Sequence, residues 1–495
     1  MKLIIVCLCV LIILGSIFTR VSHADELAGL KAQQLATQEQ LRTMQDVIKN
    51  QQEMINELKD SIESKVNVNH SYITNNEEDE IEQIVDTYLT EMETRENMVK
   101  PGSPPPFNVY WDSGLRFNSE DGNFKFKLGG RIMNDWGFMK ENRTIKEDTG
   151  IGDLVDGTKF RRARLYLKGK IYENIEFEME YDFTGGGGPE FKDVYMELKE
   201  IPYVGNLRIG QFKSPFCLEY LTTSKYDTFM ERGLNTELAP RRNTGFMLYD
   251  QALDERMTWA ANIYRTADDF GDSQGDSTTE GCYSFAGRIT GLPWYKNNGE
   301  KYIHTGFSYN YQNAFENKLI FGSEPETDFT EKFVSTGDIS AESAHLYNPE
   351  LALVFGPFSL QTEYTYVHVN STGNFSGQDP DFTGFYVFGS YFLTGEHRRY
   401  DKKEGETDRV RPKSNFNWGK GLGAIEVAAR YSELDLSDKY VDGGRLNDTT
   451  LGLNWYLNPN TRVMLNYVHA GLDLSDLNIK NANADIASIR FQIDF

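Results

Sequence analysis

The sequence predicts an all-β fold: a 16-stranded antiparallel transmembrane β-barrel preceded by an α-helical coiled coil. Three observations predict it. Sixteen segments alternate polar and apolar residues at a period of two, and they are about ten residues long, which is enough to cross a bilayer when tilted. Long and short connections alternate between these segments. An export signal precedes them, and the last residue of the chain is aromatic.

Residues 1–24 are predicted to form a secretory signal peptide. Lys2 precedes an apolar run over residues 3–18, and Ser22-His23-Ala24 has the small-x-small pattern of a cleavage site. A retained anchor helix is the alternative, although the run is short for a full span. Cleavage leaves Cys217 and Cys282, which are too few for a disulfide framework and wrongly spaced for a zinc site. They either form one disulfide or stay as separate buried thiols.

Residues 25–100 are predicted to form a periplasmic helical region. Apolar residues recur at heptad spacing over residues 27–62, and a second, acidic helix is expected over residues 77–98. Because a heptad seam needs partner helices, it predicts self-association, with a trimer favoured. A solvated spacer is the alternative interpretation. A proline-rich linker over residues 101–108 ends the region.

Residues 109–495 are predicted to form the barrel, beginning with a lead-in strand over residues 109–118. The sixteen alternating segments cover residues 123–138, 159–171, 174–184, 191–200, 206–212, 244–250, 257–265, 282–290, 302–312, 344–355, 358–369, 382–393, 424–433, 446–457, 460–469 and 484–495.

The connections between these segments indicate where the barrel lies. Most odd-numbered connections are long, including residues 434–445, and most even-numbered ones are tight turns such as Gly356-Pro357. Long loops on one side and short turns on the other are typical of bacterial outer-membrane barrels. The final segment alternates apolar residues up to Phe495, an aromatic end that such barrels share. We therefore expect the protein in the cell outer membrane of a Gram-negative-type envelope.

Several sequence blocks resemble the phosphate-selective porins O and P, over about residues 115–495. This resemblance implies a sixteen-stranded homotrimeric porin in outer-membrane lipid, with segments folded into the pore and basic side chains along an anion path. The coiled coil is not part of the best-known members, so its role stays open. The blocks are FRRARLYLKGKI, FEMEYDF, FKDVYMELK, RIGQFKSPFCLEYLTTSKYDTFMERGL, APRRNTGFMLYD and YFLTGEHRRYDKKEGETDRVRPKSNF.

Seven basic residues are candidates for lining the pore and binding anions. A pore selects by the field of its charged side chains, and arginine's planar fork suits phosphate or carboxylate oxygens. The candidates lie on the strand over residues 159–171 and in the long loop over residues 213–243. They are Arg162, Arg164, Lys168, Lys213, Arg232, Arg241 and Arg242.

A different interpretation applies to the cations of the first strand. A tight turn near Glu173 would place acidic residues 176, 178 and 182 opposite Lys170, Lys168 and Arg164. The cations would then form structural ion pairs within the barrel wall. Both interpretations stay open at the level of the sequence.

Two further loops differ in charge. Residues 394–423, on the turn side, are rich in Lys and Arg, and the resemblance implies that such a segment enters the pore from the periplasmic end. Composition alone also fits a solvated periplasmic loop. Residues 313–343 hold seven acids against two lysines, so we expect much of this loop to face outside.

The functional hypothesis is passive diffusion of small solutes through an outer-membrane porin that prefers anions such as phosphate. The net charge of −23 makes a general or cation-preferring porin the alternative, and it argues against nucleic acid as a partner. A second alternative is a structural tether that binds peptidoglycan or another periplasmic partner through the coiled coil. The sequence has no catalytic motif, so we expect no enzyme, and we expect no cofactor or metal site.

Overall fold

The structure is a computed structural model that describes residues 107–272, 283–474 and 477–495. The predicted signal peptide, the coiled coil and Cys282 lie outside the described residues. Among the described residues, no helix is both long and apolar enough to cross a membrane.

Sixteen antiparallel strands close into a barrel, because the last strand pairs with the first, residues 484–494 against residues 131–141. All sixteen predicted segments correspond to these strands. The strands are β3 (Phe124–Glu141), β4 (Gly157–Ile171), β5 (Ile175–Asp182), β6 (Glu190–Ile201), β7 (Gly205–Lys213), β8 (Arg242–Ala252), β9 (Met257–Arg265), β10 (Ser284–Lys296), β11 (Lys301–Asn313), β15 (Ile339–Phe355), β16 (Phe358–Ser371), β17 (Asp381–Phe392), β20 (Ala424–Asp438), β21 (Val441–Asn458), β22 (Thr461–Leu474) and β23 (Ile479–Asp494).

Shorter elements complete the described chain. They are strands β1 (Phe107–Trp111), β2 (Leu115–Ser119), β12 (Lys318–Leu319), β13 (Gly322–Ser323), β14 (Val334–Ser335), β18 (Arg399–Asp401) and β19 (Glu406–Asp408), helices α1 (Arg143–Glu147) and α2 (Leu218–Leu221), and 3-10 turns Leu234–Leu238, Asn297–Gly299, Phe315–Asn317 and Gly373–Phe375.

Two expectations about the strands are wrong. The lead-in strand over residues 109–118 is a hairpin, in which β1 pairs with β2 and β2 pairs with the start of β3. The long loop over residues 434–445 is mostly strand, because β20 and β21 meet at a turn of only Lys439 and Tyr440. Inward-facing Leu434 and Leu436 continue the alternation there and are buried.

Outward side chains of the barrel are apolar, as expected of a surface in contact with lipid. On β3, Ile132, Trp136 and Phe138 are 43%, 45% and 38% exposed and alternate with buried Met133 and Asp135. This alternation at a period of two is the reason the strands could be recognised.

Two long loops fold into the barrel. Loop L3 (residues 214–241) carries α2, whose first backbone N–H groups, those of Leu218 and Glu219, donate to the Glu363 carboxylate on β16 at 2.7 and 2.8 Å. In loop L5 (residues 314–338), the Glu326 N–H donates to Asp448 on the inner face of β21 at 2.7 Å. The prediction that much of residues 313–343 faces outside is therefore wrong.

L5 is held inside the barrel by contacts of its side chains with the barrel wall. A Cβ atom at Gly137 of β3 would lie only 2.6 Å from the Phe329 ring. Asp328 forms an ion pair with Lys159, and it lies 3.3 Å from the guanidinium of Arg161. Asp328 of this loop is thus neutralised by cations of the wall.

An apolar core fills the side of the lumen beneath these loops. Inward-facing residues of β15–β17 and β20–β23, such as Leu346 and Val367, pack against Leu234 of L3 and Phe321 and Phe333 of L5. Seven strands of this barrel are therefore apolar on part of both faces. A cavity of about 1000 Å³ lies along the opposite wall.

Replacing Phe321 by alanine should loosen L5 without opening the barrel. The Phe321 ring is 6% exposed and lies 5.7 Å from the Phe382 ring, and truncating such a ring costs about 3–5 kcal/mol. We expect faster trypsin cleavage at Lys332 in the folded protein. Phe315→Ala, on the same loop but 42% exposed, is the matched control. Equal cleavage rates for the two variants would contradict this packing.

Candidate functional site: a basic cavity inside the barrel

A cavity of about 1000 Å³ lies along the inner faces of β3–β10, between L3 and the β18–β19 hairpin. We call it the basic cavity. Sixteen Lys and Arg side chains line it against ten Asp and Glu side chains. The excess of positive charge contrasts with the net charge of −23 for the whole chain. This region is therefore the candidate path for anions.

The register of β2, β3 and β4 places like charges directly opposite each other. Lys127 pairs with Lys168, and Arg131 pairs with Arg164, across β3 and β4. Arg116 of β2 lies opposite Lys127 on the other side. Like charges opposite each other destabilise a sheet. The register of β2, β3 and β4 therefore concentrates positive charge along one wall of the cavity.

Three lysines of the cavity surround one tyrosine ring. The Nζ atoms of Lys127, Lys168 and Lys225 lie 5.8, 5.6 and 5.0 Å from the centre of the Tyr166 ring. An aromatic ring attracts cations at such distances. A Cβ atom at Gly129 would overlap the Tyr166 hydroxyl, so a glycine is needed where this ring crosses β3. Cations from two strands and from L3 therefore lie around the Tyr166 ring.

Lys225 lies in L3, outside the strands, and its charge is sensitive to pH. The pKa of Lys225 is lowered to about 7. Burial is the main cause, and the positive charge of Arg131 is the second. On β19, at the turn side, burial raises the pKa of Glu406 to about 7. Both groups line the cavity. Its charge therefore becomes less positive as the pH rises through neutrality.

The structure brings six of the seven predicted residues to the basic cavity. Arg162, Arg164 and Lys168 line it from β4, and Lys213, Arg232 and Arg242 line it from L3 and its flanking strands. Arg241 does not line it; it is exposed and lies 2.9 Å from Glu237. That these residues bind anions stays a prediction.

The cross-strand pairs expected on β4 also form. The register places Lys170, Lys168 and Arg164 opposite residues 176, 178 and 182. Arg164 Nε lies 2.6 Å from Asp182, and Lys168 Nζ lies 2.8 Å from Glu178. The two interpretations of this strand are therefore compatible, because cations that line the cavity also stabilise the wall.

Two of the predicted cations support the backbone of L3. Lys213 Nζ donates to the carbonyl oxygens of Tyr220 and Leu221 at 2.7 and 2.8 Å. Arg232 donates to the carbonyl oxygens of Glu219 and Thr222 at 2.8 and 2.7 Å. These carbonyls end the short helix α2, where a cation is favourable. Both residues thus shape the loop that narrows the lumen.

The seven candidates do not include the cavity cations of β2 and β3, nor Lys225 of L3. The run FKFKLGGR on β3 has the same alternating cations as β4, and this signal could have found them. Arg116 lies on β2, and β2 belongs to a hairpin that the sequence did not predict. The missed residues are Arg116, Lys125, Lys127, Arg131 and Lys225.

The segment over residues 394–423 enters the barrel from the turn side, as the resemblance implied. Its Gly405 carbonyl accepts a hydrogen bond from Arg288 of β10 at 2.9 Å. The Tyr400 hydroxyl lies 2.7 Å from Nδ1 of His304 on β11. The β18–β19 hairpin therefore forms part of the cavity wall rather than a solvated loop.

The family described as phosphate-selective porin O and P matches residues 126–495. The chain belongs to this family. Membership in the porin O and P family makes the protein a porin of the outer membrane and a channel rather than an enzyme. The match begins at β3 and spans every strand of the barrel.

Two known proteins are similar to this chain in sequence. Porin O of Pseudomonas aeruginosa is 28% identical over 414 residues, which cover 75% of this chain and 88% of that protein. An uncharacterized protein of Caulobacter vibrioides is 27% identical over 413 residues, which cover 80% and 78%. Among solved structures, an anion-selective porin from Comamonas acidovorans is 13% identical with a TM-score of 0.46, over 75% of this chain and all of that one (100%).

Anion preference should fall as the pH rises from about 6 to about 8, because Lys225 loses its proton and Glu406 gains charge when their pKa values lie near 7. The measurement is the reversal potential across a salt gradient at several pH values. Lys225→Gln should remove part of this response, because Glu406 still titrates. A pH response of equal size in wild type and variant would contradict the role of Lys225.

Proposed function

We propose that this porin conducts small solutes by passive diffusion and prefers oxyanions, with inorganic phosphate as the favoured one. The opposed like charges of β2, β3 and β4 carry the proposal. Arg116, Lys127 and Lys168 form a row across three strands. Like charges directly opposite each other repel and destabilise the pairing. An oxyanion between the strands offsets that repulsion, because it accepts hydrogen bonds from several cations at once.

The distribution of acids supports anion preference over cation preference. Charges separated by more than a Debye length, about 8 Å at physiological ionic strength, are largely screened. The charge lining the path therefore matters more than the net charge of −23. Within the basic cavity the cations outnumber the acids by sixteen to ten. Glu326 and Asp328 of L5 do not line this cavity, and Arg430 and Lys159 neutralise them.

The geometry favours oxyanions as a class, and phosphate within that class is supported by the family. Lysine ammonium groups and arginine forks bind any small oxyanion. The cavity of about 1000 Å³ also admits larger solutes than phosphate. Block of the chloride current by phosphate, compared with nitrate, sulfate and pyrophosphate, separates these ligands. Block by phosphate at the lowest concentration is the expected result.

Replacing Lys127 by glutamine should lower the ratio of anion to cation permeability, since it removes one charge from the opposed row. The measurement is the reversal potential of single channels in a planar bilayer with a salt gradient. Lys140→Gln is the matched control, because Lys140 is exposed near the other end of the same strand and does not line the cavity. Cation preference of the wild-type channel would reject the proposal.

We further propose that the protein is a homotrimer in outer-membrane lipid, with residues 25–100 in the periplasm. The family resemblance supports the trimer. The periplasmic location is supported by the β1–β2 hairpin, which pairs with residues 125–128 at the turn side of the barrel. The coiled coil would then strengthen the trimer, and binding of peptidoglycan or another periplasmic partner is a further role for it.

Deleting residues 25–100 should leave the conductance of a single pore unchanged and should weaken the trimer. Chemical crosslinking of full-length and shortened protein in membranes measures the second effect. If trimers of the shortened protein resist detergent and heat as well as trimers of the full-length protein do, the role of the coiled coil is contradicted. Loss of attachment between the outer membrane and the cell wall on deletion would favour the tether function in addition.

A further inference from the structure

The segment from Arg411 to Leu422, RPKSNFNWGKGL, follows the β18–β19 hairpin and leads to β20 at the turn side of the barrel. We call it the rim loop. It carries three basic residues and no acidic residue, whereas the whole chain holds 74 Asp and Glu residues against 51 Lys and Arg residues. The rim loop is therefore a basic patch on an acidic protein.

The rim loop lies against the outer face of the barrel. Trp455 of β21 points outward, since it lies between Asn454 and Tyr456, which are buried on the inner face. The Phe416 ring lies 5.0 Å from the Trp455 ring, and Trp455 Nε1 donates to the Leu422 carbonyl oxygen at 2.7 Å. The chain therefore leaves the lumen after the β18–β19 hairpin and continues outside the wall.

Backbone contacts fix the rim loop in this position. The Phe416 N–H donates to the Leu457 carbonyl oxygen at 2.6 Å, and the Asn417 N–H donates to the Gly421 carbonyl oxygen at 3.0 Å. Gly423 has a φ of 72°, and a Cβ atom there would overlap the carbonyl oxygen of Tyr456. A glycine is thus required where the loop returns to the wall.

The exposed side of the rim loop is partly apolar and continues the lipid-facing surface. Trp418 and Leu422 are 70% and 67% exposed, and the Trp418 ring lies 5.0 Å from the Phe416 ring. Two outward residues of β21, Leu451 and Leu453, are exposed on the same face. Tryptophan is enriched at the level of the lipid headgroups. The loop therefore lies at the boundary between the apolar band and the headgroups.

The cations of the rim loop face outward and have no ion pair within the part of the chain that the structure describes. They are Arg411, Lys413 and Lys420. By contrast, two cations earlier in the same segment, Arg398 and Arg409, form buried ion pairs with Glu426 and Asp494. The positive charge on the outer face is therefore available to a partner outside the barrel.

We propose that the rim loop binds the headgroups of anionic phospholipids in the membrane leaflet at the turn side of the barrel. Trp418 and Leu422 lie at headgroup level, and the three cations contact the oxygens of phosphate groups that carry no compensating ammonium group. Basic clusters beside a membrane-embedded surface attract anionic lipids. The proposal does not depend on the ion preference of the pore, because no rim-loop side chain lines the basic cavity.

Two simpler interpretations of this surface make different predictions. An aromatic belt alone binds lipids of any charge, because its rings sit at headgroup level whatever the headgroup is. A contact between two copies of this chain would bury the loop, and lipid binding would not depend on its cations. Selectivity for anionic headgroups therefore separates the proposal from both.

The test is native mass spectrometry of the full-length protein in detergent, mixed with equal amounts of phosphatidylglycerol and phosphatidylcholine that have the same acyl chains. We expect the wild-type protein to retain phosphatidylglycerol preferentially. In Lys413→Gln/Lys420→Gln, the ratio of retained phosphatidylglycerol to phosphatidylcholine should fall roughly tenfold, since each basic residue at a membrane surface strengthens the attraction of anionic lipids. Trp418→Ala should lower retention of both lipids and leave their ratio within about twofold of wild type.

Lys140→Gln/Arg143→Gln is the matched control, because it removes two exposed cations near the other end of the barrel. Its lipid ratio should equal that of wild type. Equal retention of the two lipids by the wild-type protein overturns the proposal, and so does an unchanged ratio in Lys413→Gln/Lys420→Gln. Fewer crosslinked trimers in that variant, with an unchanged ratio, would assign the loop to a contact between copies instead.

Salt dependence tests the same point on the wild-type protein if the double variant does not reach the heat-modifiable barrel form on gels. Salt screens the attraction between exposed charges, so the preference for phosphatidylglycerol should fall as the salt concentration during lipid binding rises. A preference that is independent of salt overturns the proposal.

Discussion

Closure of the sheet is the constraint on which the rest of this structure depends. A spanning β-structure must pair every backbone group within itself, because the bilayer core offers no hydrogen-bond partners. The seam ends where Gly130 and Phe495 exchange two backbone hydrogen bonds, of 2.7 and 3.0 Å. Since β23 stops there, the first residues of β3 remain free to pair with β2. That register places Arg116 beside Lys127, so the barrel seam determines the cationic row.

The inserted loops determine where solutes can pass. Inward side chains of β15–β17 and β20–β23 are apolar over part of their length and pack against L3 and L5. Their burial removes apolar surface from lumen water, which stabilises the loops inside the barrel. The remaining cavity follows the wall of β3–β10, where inward residues are charged. Selectivity therefore depends on about half of the barrel circumference, and the other half acts as a support.

Local pattern was enough to predict the strands, and long-range contacts explain what was missed. Alternation at a period of two identified all sixteen strands, and the tight turn near Glu173 was sufficient to predict that Arg164 lies opposite Asp182. The acidic composition of L5 suggested exposure, because neutralisation by Arg430 depends on a contact between residues about one hundred positions apart. Arg162, Arg164 and Lys168 line the cavity for a simpler reason: their inward positions on a charged strand can be read from the alternation alone.

The basic cavity contains two zones that differ in the balance of their charges. Around Tyr166, lysines face one another, and Glu178 is paired with Lys168. The proposed anion preference depends on this zone, because its charges are incompletely balanced. Around Glu180, by contrast, arginines and carboxylates are close to balance. Under the proposed function, the field that acts on a solute anion is therefore uneven along the cavity: it is strongest around Tyr166, and around Glu180 the carboxylates offset most of the positive charge.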